Sequence, residues 1–184
     1  MVVRKPGSRN DALYNQAMSH REHRAQSPTQ VRCYVLTVSD SRTEETDAGG
    51  RAIVELLTSA GHEVVDRRIV KDEPDQVRAA VALQFAHERV QAIITTGGTG
   101  ISSRDRSYEA VTGLLEKRLD GFGEIFRALS FEEIGPAAML SRAFAGTAHG
   151  KILIALPGSE HAVRLALTKL VLPELGHLVR EASR

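Results

Sequence analysis

The stretch Ala92-Ile93-Ile94-Thr95-Thr96-Gly97-Gly98-Thr99-Gly100-Ile101-Ser102-Ser103-Arg104-Asp105 constrains this chain more than any other. An apolar, β-branched run of this kind predicts a buried strand, and it passes straight into glycines and hydroxyls and ends on a carboxylate. Glycines let backbone N–H groups approach an anion closely, and threonine hydroxyls add donors. An acidic residue a few positions on could hold a cation against the same anion. The segment therefore predicts a strand-to-loop site for a phosphorylated ligand.

The surrounding pattern supplies a frame for that strand. Val31 to Val38 reads as a first strand, followed by the polar loop Ser39-Asp40-Ser41-Arg42 and a helix that Asp47 can cap and Gly61 can end. His62 to Val70 reads as a second strand. Lys71-Asp72-Glu73-Pro74-Asp75 then opens a helix whose buried side is Val77, Val81, Phe85 and Leu83. Val90 to Thr96 is the third strand, and Ser107 is placed to cap the helix after it. Gly121-Phe122-Gly123 begins a short helix, Pro136 to Phe144 reads as helical, and Lys151 to Leu156 forms a fourth strand feeding Pro157-Gly158-Ser159. Strands separated by helices predict an α/β single domain with a mostly parallel sheet covered on both faces, a three-layer αβα sandwich. Ligands of such sheets bind beyond the carboxyl ends of the strands, where four polar loops would gather.

At 184 residues the chain is about one domain long. Its 24 basic and 23 acidic residues give a formal charge of +1, which points to neither a nucleic-acid stripe nor an acidic tail. Residues 1 to 30 are polar and basic with little periodicity and read as a flexible arm preceding a domain over 31 to 184. No apolar run approaches the roughly 20 residues that span a bilayer. The single cysteine, Cys33, lies in an apolar run and fits a reducing compartment, so the expected location is the cytoplasm.

The common nucleotide signatures fail. A P-loop requires Lys and then Ser or Thr after its second glycine, whereas Gly100 precedes Ile101-Ser102, and the glycine spacing is not G-x-G-x-x-G. Asp72 and Asp105 are the candidate Mg²⁺ ligands, because that ion is usually held by one or two carboxylates with phosphate oxygens and water. Spacing alone leaves helix capping open for Asp72 and a salt bridge to Arg104 or Arg106 open for Asp105. Asp40 could act similarly or form an Asx-turn. Arg142, after Ser141, could bind a phosphate or cover a helix end. No pair among the seven histidines has metal-ligand spacing outside the arm.

With these residues in view, the chain from about Val31 onward resembles the MoaB/MogA family of molybdenum cofactor biosynthesis proteins. The resemblance rests on T-V-S-D-S-R at 37 to 42, V-K-D-E at 70 to 73, T-T-G-G-T-G at 95 to 100 and R-D at 104 to 105. It continues through G-F-G-E-I-F-R at 121 to 127, A-M-L-S-R-A at 138 to 143, L-P-G-S at 156 to 159 and P-E-L-G-H at 173 to 177, and it is greater to the MoaB branch.

The resemblance implies molybdopterin adenylyltransferase chemistry with ATP, molybdopterin and Mg²⁺, with Asp72 and Asp105 as the activity-bearing, metal-holding carboxylates. It also implies a pterin-phosphate cradle at Thr96, Gly97, Gly98, Thr99 and Gly100. Ser39, Asp40, Ser141, Pro157, Gly158 and Ser159 would line the rest of the pocket. A homotrimer or homohexamer is expected, with a molybdenum-insertion protein of MoeA type as partner and no nucleic acid or membrane. A non-catalytic molybdopterin carrier is the alternative. One departure stands out: the family usually reads R-D-V-T, then Pro or Ile, then Glu, whereas this chain has Arg104-Asp105-Arg106-Ser107-Tyr108-Glu109.

Overall fold

In a computed structural model, the structure describes residues 26–102 and 105–184, so most of the predicted arm, and Ser103 and Arg104, lie outside the described residues. The elements run β1 (Arg32–Val38), α1 (Ala48–Ser59), β2 (Glu63–Val70), α2 (Pro74–Ala86), β3 (Ala92–Thr96), α3 (Ser107–Thr112) and β4 (Lys117–Arg118). They continue through α4 (Asp120–Ile134), a 3₁₀ segment (Gly135–Leu140), β5 (Phe144–Ala148), β6 (Lys151–Leu156), α5 (Glu160–Ala166), a π-helical turn (Leu167–Val171) and α6 (Leu172–Ala182). The sheet order is β2-β1-β3-β6-β5-β4. The first four strands are parallel, and β5 and β4 extend the sheet antiparallel to their preceding neighbours.

Alternation along the strands sorts the core onto two faces. Cys33, Val35, Ala92, Ile94, Ile152 and Ile154 pack with Ile53, Leu57, Phe126, Val163 and Leu167 on one side. Tyr34, Leu36, Ile93 and Leu153 pack with Val77, Val81, Phe85, Val111 and Phe144 on the other. This is the period-2 consequence of burying both faces under helices.

Three local expectations change. Leu83 is exposed, on the outer side of α2, because Val77, Val81, Gln84 and Phe85 already fill the buried stripe. The Pro136–Phe144 region is not one helix: a 3₁₀ segment ends at Leu140, and Phe144 starts a strand that turns through His149-Gly150 into β6. Gly123 to Ile134 belongs to a helix of 15 residues, so this element is longer than its opening motif suggests.

Candidate functional site

The order of β1, β2 and β3 creates a switch point. The chain leaves β1 for β2 on one side and returns to β3 on the other, so the carboxyl ends of β1 and β3 diverge into separate loops. The loops after Val38, Val70, Thr96 and Leu156 meet there. Gly97 N–H donates to the Leu156 carbonyl at 3.0 Å, and Ser39 N–H donates to the Val70 carbonyl at 2.9 Å.

Gly97 and Gly98 turn the chain with φ of 95° and 65°, a region that L side chains rarely adopt. A Cβ on Gly97 would fall on the Val38 carbonyl oxygen, and one on Gly98 would lie 2.6 Å from the Ser107 Cβ. The loop is thus pressed against both β1 and α3. Among the described residues, none accepts a hydrogen bond from the amides of Gly98, Thr99 or Gly100. Successive amides of this kind make an anion-binding concavity.

Most of the predicted hydroxyl donors serve the frame instead. The buried Thr96 hydroxyl donates to the Pro157 carbonyl at 2.8 Å, tying the two loops together. Thr99 is also buried. Ser159 caps α5 by accepting from Ala162 N–H at 3.2 Å, and Ser39 Oγ accepts from the amides of Ser41 and Arg42. Ser141 Oγ accepts from Ala143 N–H at 3.3 Å. Gly158 lies against Gly97 and Gly49, which brings the start of α1 to the same place.

Asp72 and Asp105 flank this loop, both partly exposed. Asp72 Oδ1 accepts from the Ser107 hydroxyl at 2.6 Å, and the Asp72 amide donates to Asp40 Oδ1 at 3.2 Å. Asp40 therefore positions Asp72 through its backbone. Ser107 does not cap α3 as its position suggested: it is the first residue of the helix, and its hydroxyl points to Asp72. Asp105 Oδ2 accepts from Ser102 N–H at 2.9 Å and lies close to Gly100.

Two charged side chains at this edge are taken up within the protein. Arg142 is occupied within the protein, donating to the Gly100 carbonyl at 2.9 Å, the Asp105 carbonyl at 2.8 Å and Glu109 at 2.5 Å. Burial works against ionisation of Glu109, but its bond to Arg142 holds its carboxyl below the ordinary range. The other is Asp47, which caps α1 through Gly50 N–H as expected and also binds the Thr37 hydroxyl at 2.6 Å and Arg67 at 2.7 Å. Burial opposes its charge, yet these bonds keep its carboxyl lowered. The roles of Arg67 and Thr37 were not legible in sequence, since Arg67 reaches Asp47 from 20 residues away and nothing local marks the pairing.

Two cavities meet at Arg142, and the second also adjoins the loop. One of about 420 Å³ is lined by Tyr108, Arg118, Glu124, Arg127, Ser141 and Arg142 among others. The second, of about 560 Å³, is lined by residues including Ser102, Asp105, Arg106, Glu109 and Arg142. Among the described residues, no three His, Cys, Asp or Glu side chains group as a metal cage, and no helix is long and apolar enough to cross a membrane.

The chain is thus an α/β single domain with an amide-lined loop at its switch point, flanked by two carboxylates. Residues 34–177 match the family described as a probable molybdopterin binding domain. Molybdenum cofactor biosynthesis protein B of Bacillus cereus is 51% identical over 91% of this chain and 99% of its own length. A crystal structure of molybdenum cofactor biosynthesis protein B, 51% identical, superposes with a TM-score of 0.82 over 85% of this chain and 98% of that one. The tungsten cofactor synthesizing protein MoaB from Pyrococcus furiosus is 36% identical, with a TM-score of 0.76 over 86% and 100%. The chain belongs to the MoaB family of molybdenum cofactor biosynthesis proteins.

Proposed function

We propose that this protein binds molybdopterin and transfers an adenylyl group from ATP to its terminal phosphate. The observation that supports the reading is the run of three amides, Gly98 to Gly100, which have no acceptor among the described residues and lie beside Asp72 and Asp105. In the reaction a phosphate oxygen of the pterin attacks the α-phosphorus of ATP. A new P–O–P bond forms as the bond to the β-phosphate breaks, and pyrophosphate leaves. The attacking phosphate is already ionised at neutral pH, so the task is to bring two anions together in line. The loop amides would fix one phosphate.

The donor set fits Mg²⁺: two carboxylates short of a full cage suit an ion that shares its coordination with phosphate and water. Bound there, it would supply neutralisation of triphosphate charge. Asp72, oriented by Ser107 and Asp40, and Asp105, oriented by Ser102, would hold it. The expected assembly is a homotrimer or homohexamer that passes product to a MoeA-type insertion protein.

A carrier without catalysis is the second reading. It is favoured by Arg142, whose guanidinium is engaged by the protein and so is not offered to a triphosphate. Incubating purified protein with ATP, Mg²⁺ and molybdopterin decides between them: adenylylated pterin and stoichiometric pyrophosphate support transfer, and pterin binding without pyrophosphate supports the carrier.

A further inference from the structure

We infer that Tyr108 is a positioning residue for the Gly100–Asp105 loop, acting through Arg142. Tyr108 is one of the positions, with Arg106 and Ser107, at which this sequence departs from the family pattern. Its ring stands edge-on to Phe144 of β5, with centroids 5.0 Å apart and planes at 79°. The Arg142 guanidinium lies over the same ring, 4.6 Å from its centroid. The Tyr108 hydroxyl accepts from Arg118 at 3.0 Å, and Arg118 in turn pairs with Asp120 at 3.1 Å. The sheet thus supports the ring, and the ring supports a guanidinium plane.

That plane fixes two carbonyls of the loop. Arg142 joins the carbonyls of Gly100 and Asp105, five residues apart, and its own amide donates to the Thr99 carbonyl at 3.3 Å. Both ends of the segment that carries the Asp105 carboxylate are therefore fixed by one side chain. A guanidinium has its donors in a rigid planar fork, so its tilt sets where those carbonyls lie, and an aromatic face sets its tilt. Arg142 also lines both cavities, and Tyr108 lines the first of them beside it. This rests on the proposed transfer reaction only for its catalytic consequence, which is the placing of Asp105.

The test compares full-length wild type with Tyr108→Phe, Tyr108→Leu and Arg142→Lys. Amide hydrogen exchange is followed at the Ser102 and Asp105 amides, which are hydrogen-bonded within the loop, and, as a control, in Arg32 to Val38. Tyr108→Leu and Arg142→Lys are expected to exchange about tenfold faster in the loop alone, the scale of losing one partly buried cation–π contact, with Tyr108→Phe like wild type. Where wild type releases pyrophosphate, the same two variants raise the Mg²⁺ concentration for half-maximal rate more than they lower the maximal rate. Unchanged loop exchange in both variants overturns the inference. So does a Tyr108→Phe variant as loose as Tyr108→Leu, because it would assign the effect to the hydroxyl and Arg118. Should Tyr108→Leu fail to fold, Arg142→Lys carries the test. Exchange needs no turnover, so an inactive wild type removes the transfer reaction without touching this result.

Discussion

Asp47 and Asp105 both stand at the carboxyl edge of the sheet, and their surroundings are opposite. Asp47 is buried at 2% exposure, with Gly50 N–H on one oxygen and Thr37 and Arg67 on the other. Asp105 is partly exposed beside a cavity, and one of its oxygens takes the amide of Ser102. The first carboxylate fastens β1, β2 and α1 into one corner. The second has coordination capacity facing solvent. Two aspartates that each precede a helix thus do different work, and the difference lies in how completely their lone pairs are taken up.

Substitution separates the two roles. The largest effect is expected for Asp105→Asn: pyrophosphate release falls about a thousandfold, roughly 4 kcal/mol, as the charge that would hold the cation is removed, while the midpoint of thermal unfolding barely moves. Turnover within a factor of a few of wild type would sink the assignment. Asp47→Ala reverses the pattern, with unfolding free energy in urea lowered by about 3 kcal/mol, because Arg67 is left partly buried without its partner and α1 loses its cap. A loss below about 1 kcal/mol would show that Asp47 is not the fastening described.

Ser107→Ala lies between these cases. The hydroxyl donates to Asp72 at 2.6 Å, and losing one such bond to a charged group is worth about 1.5 kcal/mol, or about tenfold in rate, if Asp72 is thereby released from its orientation. Ser107→Thr should restore the rate. Equal activity in all three proteins would make the bond incidental to turnover.

The same contrast explains what could be read from the sequence. The strand-helix alternation, the parallel core strands, the Asp47 cap and the gathering of four loops were legible because each is written in a local period or a neighbouring residue. β4 and β5 were missed: β4 has two residues, and β5, Phe-Ala-Gly-Thr-Ala, has too few β-branched residues to stand out. In the site, the identities of Asp72, Asp105 and the glycines were visible, but the engagements of Thr96, Ser107 and Arg142 were not. Their partners are 61, 35 and up to 42 residues away, and direction of a side chain at such separation is set only by packing.

The smallest expected effect concerns acid, and it distinguishes the two edges of the sheet. At the edge opposite the site, His62 Nδ1 accepts from Val31 N–H at 3.2 Å, and burial pushes its pKa below the ordinary 6.5. The neutral ring is the form that folds best. Its contribution is therefore complete above pH 6.5 and is lost as pH falls through the lowered folded value. Asp47 behaves with the same sign in a lower window: its carboxylate contributes above its ordinary 3.8, and that contribution disappears as pH falls through its depressed folded value. Urea stability measured from pH 8 to 3 should fall in two stages. His62→Gln should remove only the upper stage, and Asp47→Asn should shrink only the lower one, to which Glu109 also contributes. If Asp47→Asn abolished the decline just below pH 6.5, or His62→Gln left it intact, the assignment of acid sensitivity to these two corners would be wrong.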